Sequence, residues 1–260
     1  MTKYLSPAQM ERWSEDGFLK VKGFLSEAET ASLRSWVADI EEADAQSTGI
    51  MHHFERTAEG IRPSRTENFL PSHRGLNDLL TRGKILSLVS ELMGETAVVY
   101  KEKINYKYPG GGGYIAHQDA PAYEFISFHV TCLIAVDAAT VESGCLSFSP
   151  GLHRQGLIAL DERGCIEPQA AARMEWVPVE KVPGDVLCFS SYVPHKSGGN
   201  HSDQPRRIIY VTYNALSSGD FREQYYADKR RTFADHAREG PEKGELISKI
   251  GHFQGRTVLK

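Results

Sequence analysis

Between residues 97 and 215 the chain breaks into short β-rich runs separated by turn-forming residues, and this rhythm constrains the fold more than any other feature. The runs are Val98-Val99-Tyr100, 126–136, 145–148, 186–189 and 208–213. Between them stand Pro109 with the glycines 110–113, then Ser143-Gly144, Pro150-Gly151 and Pro183-Gly184-Asp185. Such residues stop a strand, because proline lacks an amide donor and glycine admits the left-handed turn backbone. Short strands at this spacing predict a mainly β fold with flanking helices, an antiparallel double-sheet barrel of the jelly-roll or cupin-like double-stranded β-helix type.

The first 96 residues read as mostly helical support. Ser6 before Pro7 caps a short amphipathic helix carrying Met10 and Trp13, and Gly17 ends it. Phe18-Leu19-Lys20-Val21 reads as a strand, and Ser26 with Glu29 forms a capping box that opens a helix running to about residue 43. Residues 44–67 lack apolar periodicity and are expected to form a long loop, whereas 75–93 suits two short helices broken near Gly83. The charged segment 221–239 reads as a helix. The expectation is one domain over 1–260: N-terminal support and loop to 96, jelly-roll core 97–215, C-terminal helix and tail 216–260.

Thirty basic and 34 acidic residues leave a net charge of −4, which disfavours sequence-wide nucleic-acid binding. No apolar run approaches a membrane span, and residues 1–13 lack the apolar core of a signal peptide, so no membrane partner is expected. Cys132, Cys145, Cys165 and Cys188 are scattered without a Cys-x-x-Cys pair, which argues against a zinc ribbon or a disulfide framework. A reducing cytoplasm is the expected setting.

His117-Gln118-Asp119 ends the run Tyr114-Ile115-Ala116, and strand residues two apart share a face, so His117 and Asp119 can reach one ion. A polar strand end gives the same triplet. His195, after the apolar run 186–189, can bring a second imidazole beside the pair, and two histidines with one carboxylate suit a non-haem Fe(II) centre with open positions. Eleven residues later, Arg206 shares its strand face with Ile208, Tyr210, Thr212 and Asn214. A guanidinium inside a barrel requires an anion, and a dicarboxylate such as 2-oxoglutarate is a bidentate partner.

These motifs, with Gly17-Phe18, Phe24-Leu25, Ser143-Gly144-Cys145-Leu146, Pro150-Gly151-Leu152-His153 and His195-x-Ser197, make the chain resemble the phytanoyl-CoA dioxygenase-like family of Fe(II)/2-oxoglutarate-dependent oxygenases. The resemblance implies that His117, Asp119 and His195 bind iron, that Arg206 and Ser197 hold the distal carboxylate of 2-oxoglutarate, and that Asn105 and Tyr114 line the co-substrate pocket. It further implies hydroxylation with dioxygen, releasing succinate and CO2. Two departures, Ser143 for the usual Asn and Leu152 for the usual Ser or Asn, touch a turn and a loop rather than a ligand.

The segments 101–107, 117–123, 213–214, 219–220 and 225–229 resemble the bacterial organophosphonate hydroxylase branch, which implies attack on the carbon next to phosphorus in an aminoalkylphosphonate. Lys107, Gln118, Asn105 and Asn214 are candidate donors to a phosphonate, and Tyr123, Glu124 and Tyr213 candidate partners for an ammonium group. Acyl-CoA or another metabolite is the alternative substrate of the same chemistry. A non-catalytic or zinc-loaded barrel is the alternative of another class. His52 and His53 are candidate pocket residues, while His129 and His153 read as structural. The glycines 110–113 lack the Lys-Ser/Thr of a phosphate loop and read as a turn leading to His117. Lys229-Arg230-Arg231 reads as a solvated helix face.

Overall fold

The computed structural model describes residues 3–57, 60–122, 125–162 and 164–239, together with 252–253 and 256–257. Helix α1 (Pro7–Asp16) has Ser6 as its N-cap and a left-handed Gly17 as its stop. It leads into β1 (Phe18–Val21), and the Ser26 and Glu29 capping box opens α2 (Glu27–Glu41). After the single turn α3 (Ala45–Thr48), the stretch expected as a loop instead forms a hairpin, β2 (Met51–Thr57) with β3 (Gly60–Glu67). Helices α4 (Arg74–Thr81) and α5 (Gly83–Met93) break at Gly83 as the sequence predicts.

The barrel proper begins with β4 (Ala97–Lys107), β5 (Tyr114–His117), β6 (Val130–Ala135) and β7 (Leu146–Phe148). The short α6 (Pro168–Ala171) precedes β8 (Val177–Val179), β9 (Val186–Ser190), β10 (His195–Ser197) and β11 (Arg206–Ala215). Helix α7 (Arg222–Glu239) follows, and β12 (His252–Phe253) pairs with β13 (Arg256–Thr257). A seven-stranded sheet in the order β1-β9-β6-β11-β4-β3-β2 faces a four-stranded sheet in the order β5-β10-β7-β8, with antiparallel neighbours throughout. Two antiparallel sheets with flanking helices are the jelly roll expected.

Side-chain alternation gives the large sheet two faces. On the outer face Val130, Cys132, Ile134, Val186, Cys188, Ile209, Val211 and Ile104 pack against Leu33 and Val37 of α2, Leu76 and Leu80 of α4, and Leu88 of α5. On the inner face Leu133, Leu187, Phe189, Ile208 and Tyr210 meet Leu146, Phe148 and Val179 of the small sheet. Because β6 and β9 are covered on both sides, their sequences are largely apolar, which made them visible as strands. All four cysteines are buried and none is in a disulfide. No helix among the described residues is long and apolar enough to cross a membrane.

Candidate active site

The apolar packing of the inner face stops short on the β4 side, where β3, β4 and β11 carry polar groups. Register places Arg206 opposite Lys107, Tyr210 opposite Lys103 and Thr212 opposite Lys101, while Arg65 pairs with Asn105 and Glu67 with Lys103. Directly paired residues share a face, so the inner wall bears Lys101, Lys103, Asn105, Lys107, Arg65, Glu67 and Arg206.

Across from this wall, β5 and β10 run antiparallel with His117 opposite His195. Asp119 lies just beyond β5 in a turn held by the Ala122 N–H to Asp119 O and Ala120 N–H to Ser191 O hydrogen bonds, both 2.9 Å. One donor atom each from His117, Asp119 and His195 lie within 4.8 Å of one another. Asp119 Oδ1 is 4.0 Å from His117 Nε2 and 3.9 Å from His195 Nε2. Each imidazole is steered from behind: His117 Nδ1 meets Ile115 O at 2.7 Å and His195 Nδ1 meets Val193 O at 3.1 Å. A carbonyl only accepts, so both Nδ1 atoms carry the proton and both Nε2 lone pairs face the cluster. Phe189 and Phe148 pack beside His195 with ring centroids 4.8 and 5.8 Å away.

Burial, reinforced by the neighbouring His195, lowers the pKa of His117 to about 3, against the pull of Asp119. Burial likewise lowers that of His195. Burial opposes ionisation of Asp119, but the two imidazoles and the Lys103 and Lys101 ammoniums outweigh it and hold that carboxyl at about 2. At neutral pH the cluster is therefore two neutral imidazoles and one carboxylate, already in the state a divalent cation requires.

At the other end of the wall Arg206 is 1% exposed. Its Nη2 donates to Gly144 O at 2.9 Å, while Nε and Nη1 are buried with no hydrogen-bond acceptor among the described residues. Lys107 Nζ donates to Ser197 Oγ at 2.9 Å, to Gly144 O at 3.3 Å and also to Gly198 O. Gly144 can present its carbonyl to both cations because it is a glycine: its φ is +74°, and a Cβ there would stand 2.5 Å from Gly198 O. Gly113 is similarly required, since its Cβ would meet Ser197 O at 2.4 Å where the glycine run passes β10. Two idle guanidinium donors beside a lysine fit a carboxylate ligand, and the two-histidine, one-carboxylate set fits iron.

The other sequence candidates separate into two groups. Asn105 and Tyr114 lie on the site: Asn105 Oδ1 is buried without a hydrogen-bond donor, and the Tyr114 ring is 6.5 Å from the His117 ring and 5.6 Å from Lys107 Nζ. Gln118, Tyr213 and Asn214 are occupied elsewhere. The Gln118 amide donates to Gly156 O and Tyr192 O and accepts from Ile158 N–H, pinning two loops. Tyr213 OH donates to Leu80 O on the outer face, and Asn214 Nδ2 donates to Ala215 O and Gly219 O in a turn. Tyr123 and Glu124 lie outside the described residues. Sequence reasoning passed over Lys101, Lys103, Arg65 and Glu67, although counting by two from Lys107 along β4 reaches both lysines. It also read Lys229 as solvated, whereas Lys229 Nζ lies 2.5 Å from buried Glu67 Oε2.

Residues 13–208 match the family model for phytanoyl-CoA dioxygenase (PhyH). The chain belongs to this family and is an Fe(II)- and 2-oxoglutarate-dependent dioxygenase. It is 58% identical over 258 residues, 99% of each chain, to a methylphosphonate hydroxylase of Gimesia maris. It is 40% identical to a 2-aminoethylphosphonate dioxygenase of an uncultured bacterium, over 90% of this chain and 91% of that one. Among solved structures, EctD from S. alaskensis with 2-oxoglutarate and 5-hydroxyectoine superposes with a TM-score of 0.69 at 18% identity, covering 82% of this chain and 77% of the other, a likeness of fold.

Proposed function

We propose that this enzyme hydroxylates the carbon bonded to phosphorus in a small phosphonate. The observation that carries the reading is the placing of the His117, Asp119 and His195 donors opposite a wall of buried and half-buried cations. A hydroxylase of a neutral substrate has no use for that wall, whereas a phosphonate oxyanion does. The activities of the two phosphonate-oxidising relatives agree with it.

His117 Nε2, His195 Nε2 and the Asp119 carboxylate would hold Fe(II), and Arg206 with Lys107 and Ser197 would hold the distal carboxylate of 2-oxoglutarate. With both bound, the oxidation balances as R–CH3 + O2 + 2-oxoglutarate giving R–CH2OH, succinate and CO2. The chain's own part is orientation and exclusion of water. Ile115 O and Val193 O fix the two rings, Phe189 and Phe148 keep the back of His195 dry, and Gly144 O aims the Arg206 fork.

The test is anaerobic absorption of the Fe(II)-loaded protein. Adding 2-oxoglutarate should produce a visible charge-transfer band that methylphosphonate perturbs and a branched acyl-CoA leaves alone. Asp119→Ala should give no band. A band perturbed only by the acyl-CoA would overturn the phosphonate reading, and a wild-type protein that takes zinc and gives no band would favour a binding barrel.

A further inference from the structure

Arg206 and Lys107 account for one anion at their end of the inner wall, yet the wall continues past them with a second group of cations. Lys103 sits between Tyr210 on β11 and Glu67 on β3, with its Nζ 5.0 Å from the Tyr210 ring centroid. Lys101 follows two residues away on the same face, and Arg65 stands one strand over, opposite Asn105. Both lysines belong to an inner strand of the large sheet with neighbours on either side, and both keep partial exposure. They therefore border open space, and they feel the charges of two carboxylates, Asp119 across it and Glu67 on the neighbouring strand.

Among the described residues the carboxylates that act on these lysines are Asp119, which faces the wall and belongs to the proposed iron set, and Glu67 on the wall itself. Glu67 is already committed: Lys229 Nζ is 2.5 Å away, Arg65 Nη1 3.4 Å and His53 Nε2 3.8 Å. Burial disfavours its charge, but Lys229, His53 and Arg65 hold it well below the usual carboxylate range, so it stays ionised and occupied. Lys103 has no carboxylate within ion-pair distance among the described residues. Burial and the charges of Arg65 and Lys101 push its ammonium well below the ordinary lysine range, a penalty that a second anion would relieve.

Among the described residues, the tyrosine rings along this wall already carry cations. Lys101 and Lys229 lie 5.5 and 5.7 Å from the Tyr225 ring centroid, Lys103 lies over Tyr210, and Lys107 over Tyr114. An amine brought into this space would find those rings taken and like charges beside it.

Resting on the phosphonate-hydroxylase reading, we propose that Lys103, flanked by Lys101 and Arg65, anchors the phosphonate oxygens, and that this wall selects phosphonates without an amine. Methylphosphonate is then preferred over 2-aminoethylphosphonate. The anchor is distinct from the Arg206 group, so the two anions occupy opposite ends of one wall.

Calorimetric titration of the anaerobic Fe(II)/2-oxoglutarate enzyme with methylphosphonate, ethylphosphonate and 2-aminoethylphosphonate tests both parts. The ethyl and aminoethyl pair isolates the amine at nearly equal size, and ethylphosphonate should bind at least tenfold more tightly. Lys103→Met should weaken methylphosphonate at least tenfold while 2-oxoglutarate affinity stays within twofold, and Lys103→Arg should restore phosphonate binding to within about threefold. Without ligands, Lys103→Met should melt no lower than wild type, because it removes a partly desolvated cation repelled by Arg65 and Lys101. Unchanged methylphosphonate affinity in Lys103→Met overturns the anchor while leaving the phosphonate reading intact. Equal binding of the ethyl and aminoethyl compounds by wild type overturns the selectivity, and that arm needs no variant. A wild-type enzyme that binds 2-oxoglutarate but none of the three phosphonates overturns the hydroxylase reading itself.

Discussion

Replacing Arg206 with Met should move substrate affinity and stability in opposite directions. The guanidinium is buried, makes one hydrogen bond to Gly144 O, and has two donors with no acceptor among the described residues. Without 2-oxoglutarate the variant loses one hydrogen bond from a charged donor, about 2 kcal/mol, and is spared the desolvation of a buried cation, which costs several kcal/mol. The ligand-free variant should therefore melt at or above wild type. With 2-oxoglutarate it forfeits a charge-assisted carboxylate pairing of about 3 kcal/mol, roughly a hundredfold in affinity. A concentration that stabilises wild type by about 2.7 kcal/mol, one hundred times its Kd, should then stabilise the variant by only about 0.4 kcal/mol. Succinate release against 2-oxoglutarate concentration gives KM, and melting curves with and without 2-oxoglutarate give the two stabilities. A KM within threefold of wild type, or a ligand-free Tm far below it, would refute the assignment of Arg206 to the co-substrate.

Other perturbations test neighbouring parts of the account. Gly144→Ala should destabilise by about 2 kcal/mol or more and raise the KM for 2-oxoglutarate, since the left-handed backbone alone costs about 1–2 kcal/mol and the new methyl displaces the carbonyl that aims Arg206; melting and kinetics on the same preparation read both. Burial, helped by the charge of Arg206, lowers the buried Lys181 from 10.5 to about 7. The unfolded chain then binds the extra proton between pH 7 and 10.5, so wild-type stability rises with pH across that window and the penalty is complete below pH 7. Lys181→Met should accordingly be more stable than wild type by up to about 5 kcal/mol near pH 6, with the gap closing toward pH 10.5 in denaturant titrations.

How far the fold could be read from the sequence depended on what each strand faces. Strands β6, β9 and the middle of β11 pack mostly apolar side chains on both sides and stood out as β-rich, largely apolar runs. Strand β4 was visible only at Val98-Val99-Tyr100, because beyond it the inner positions are Lys101, Lys103, Asn105 and Lys107, lining the site rather than the core. The β2 and β3 hairpin escaped for the same reason: its inner positions include His53, Arg65 and Glu67, so the apolar alternation that marks a half-buried strand is missing. The metal candidates were legible because His117 and Asp119 sit two apart at a strand end and His195 follows an apolar run. Their meeting depended on the β5 and β10 register. Arg206 stood out eleven residues after His195, and counting by two from it separated its face from that of Arg207. Gln118, Tyr213 and Asn214 misled because polarity near a ligand marks structural hydrogen bonding as readily as substrate contact, and only their partners tell the two apart.

The stoichiometry of turnover distinguishes phosphonate hydroxylation from every other fate of the co-substrate. Purified enzyme supplied with Fe(II), ascorbate, 2-oxoglutarate, dioxygen and methylphosphonate should release one succinate for each hydroxymethylphosphonate seen by phosphorus NMR, and Asp119→Ala should produce neither. Succinate formed with methylphosphonate left unaltered, or full turnover retained in Asp119→Ala, would contradict the account.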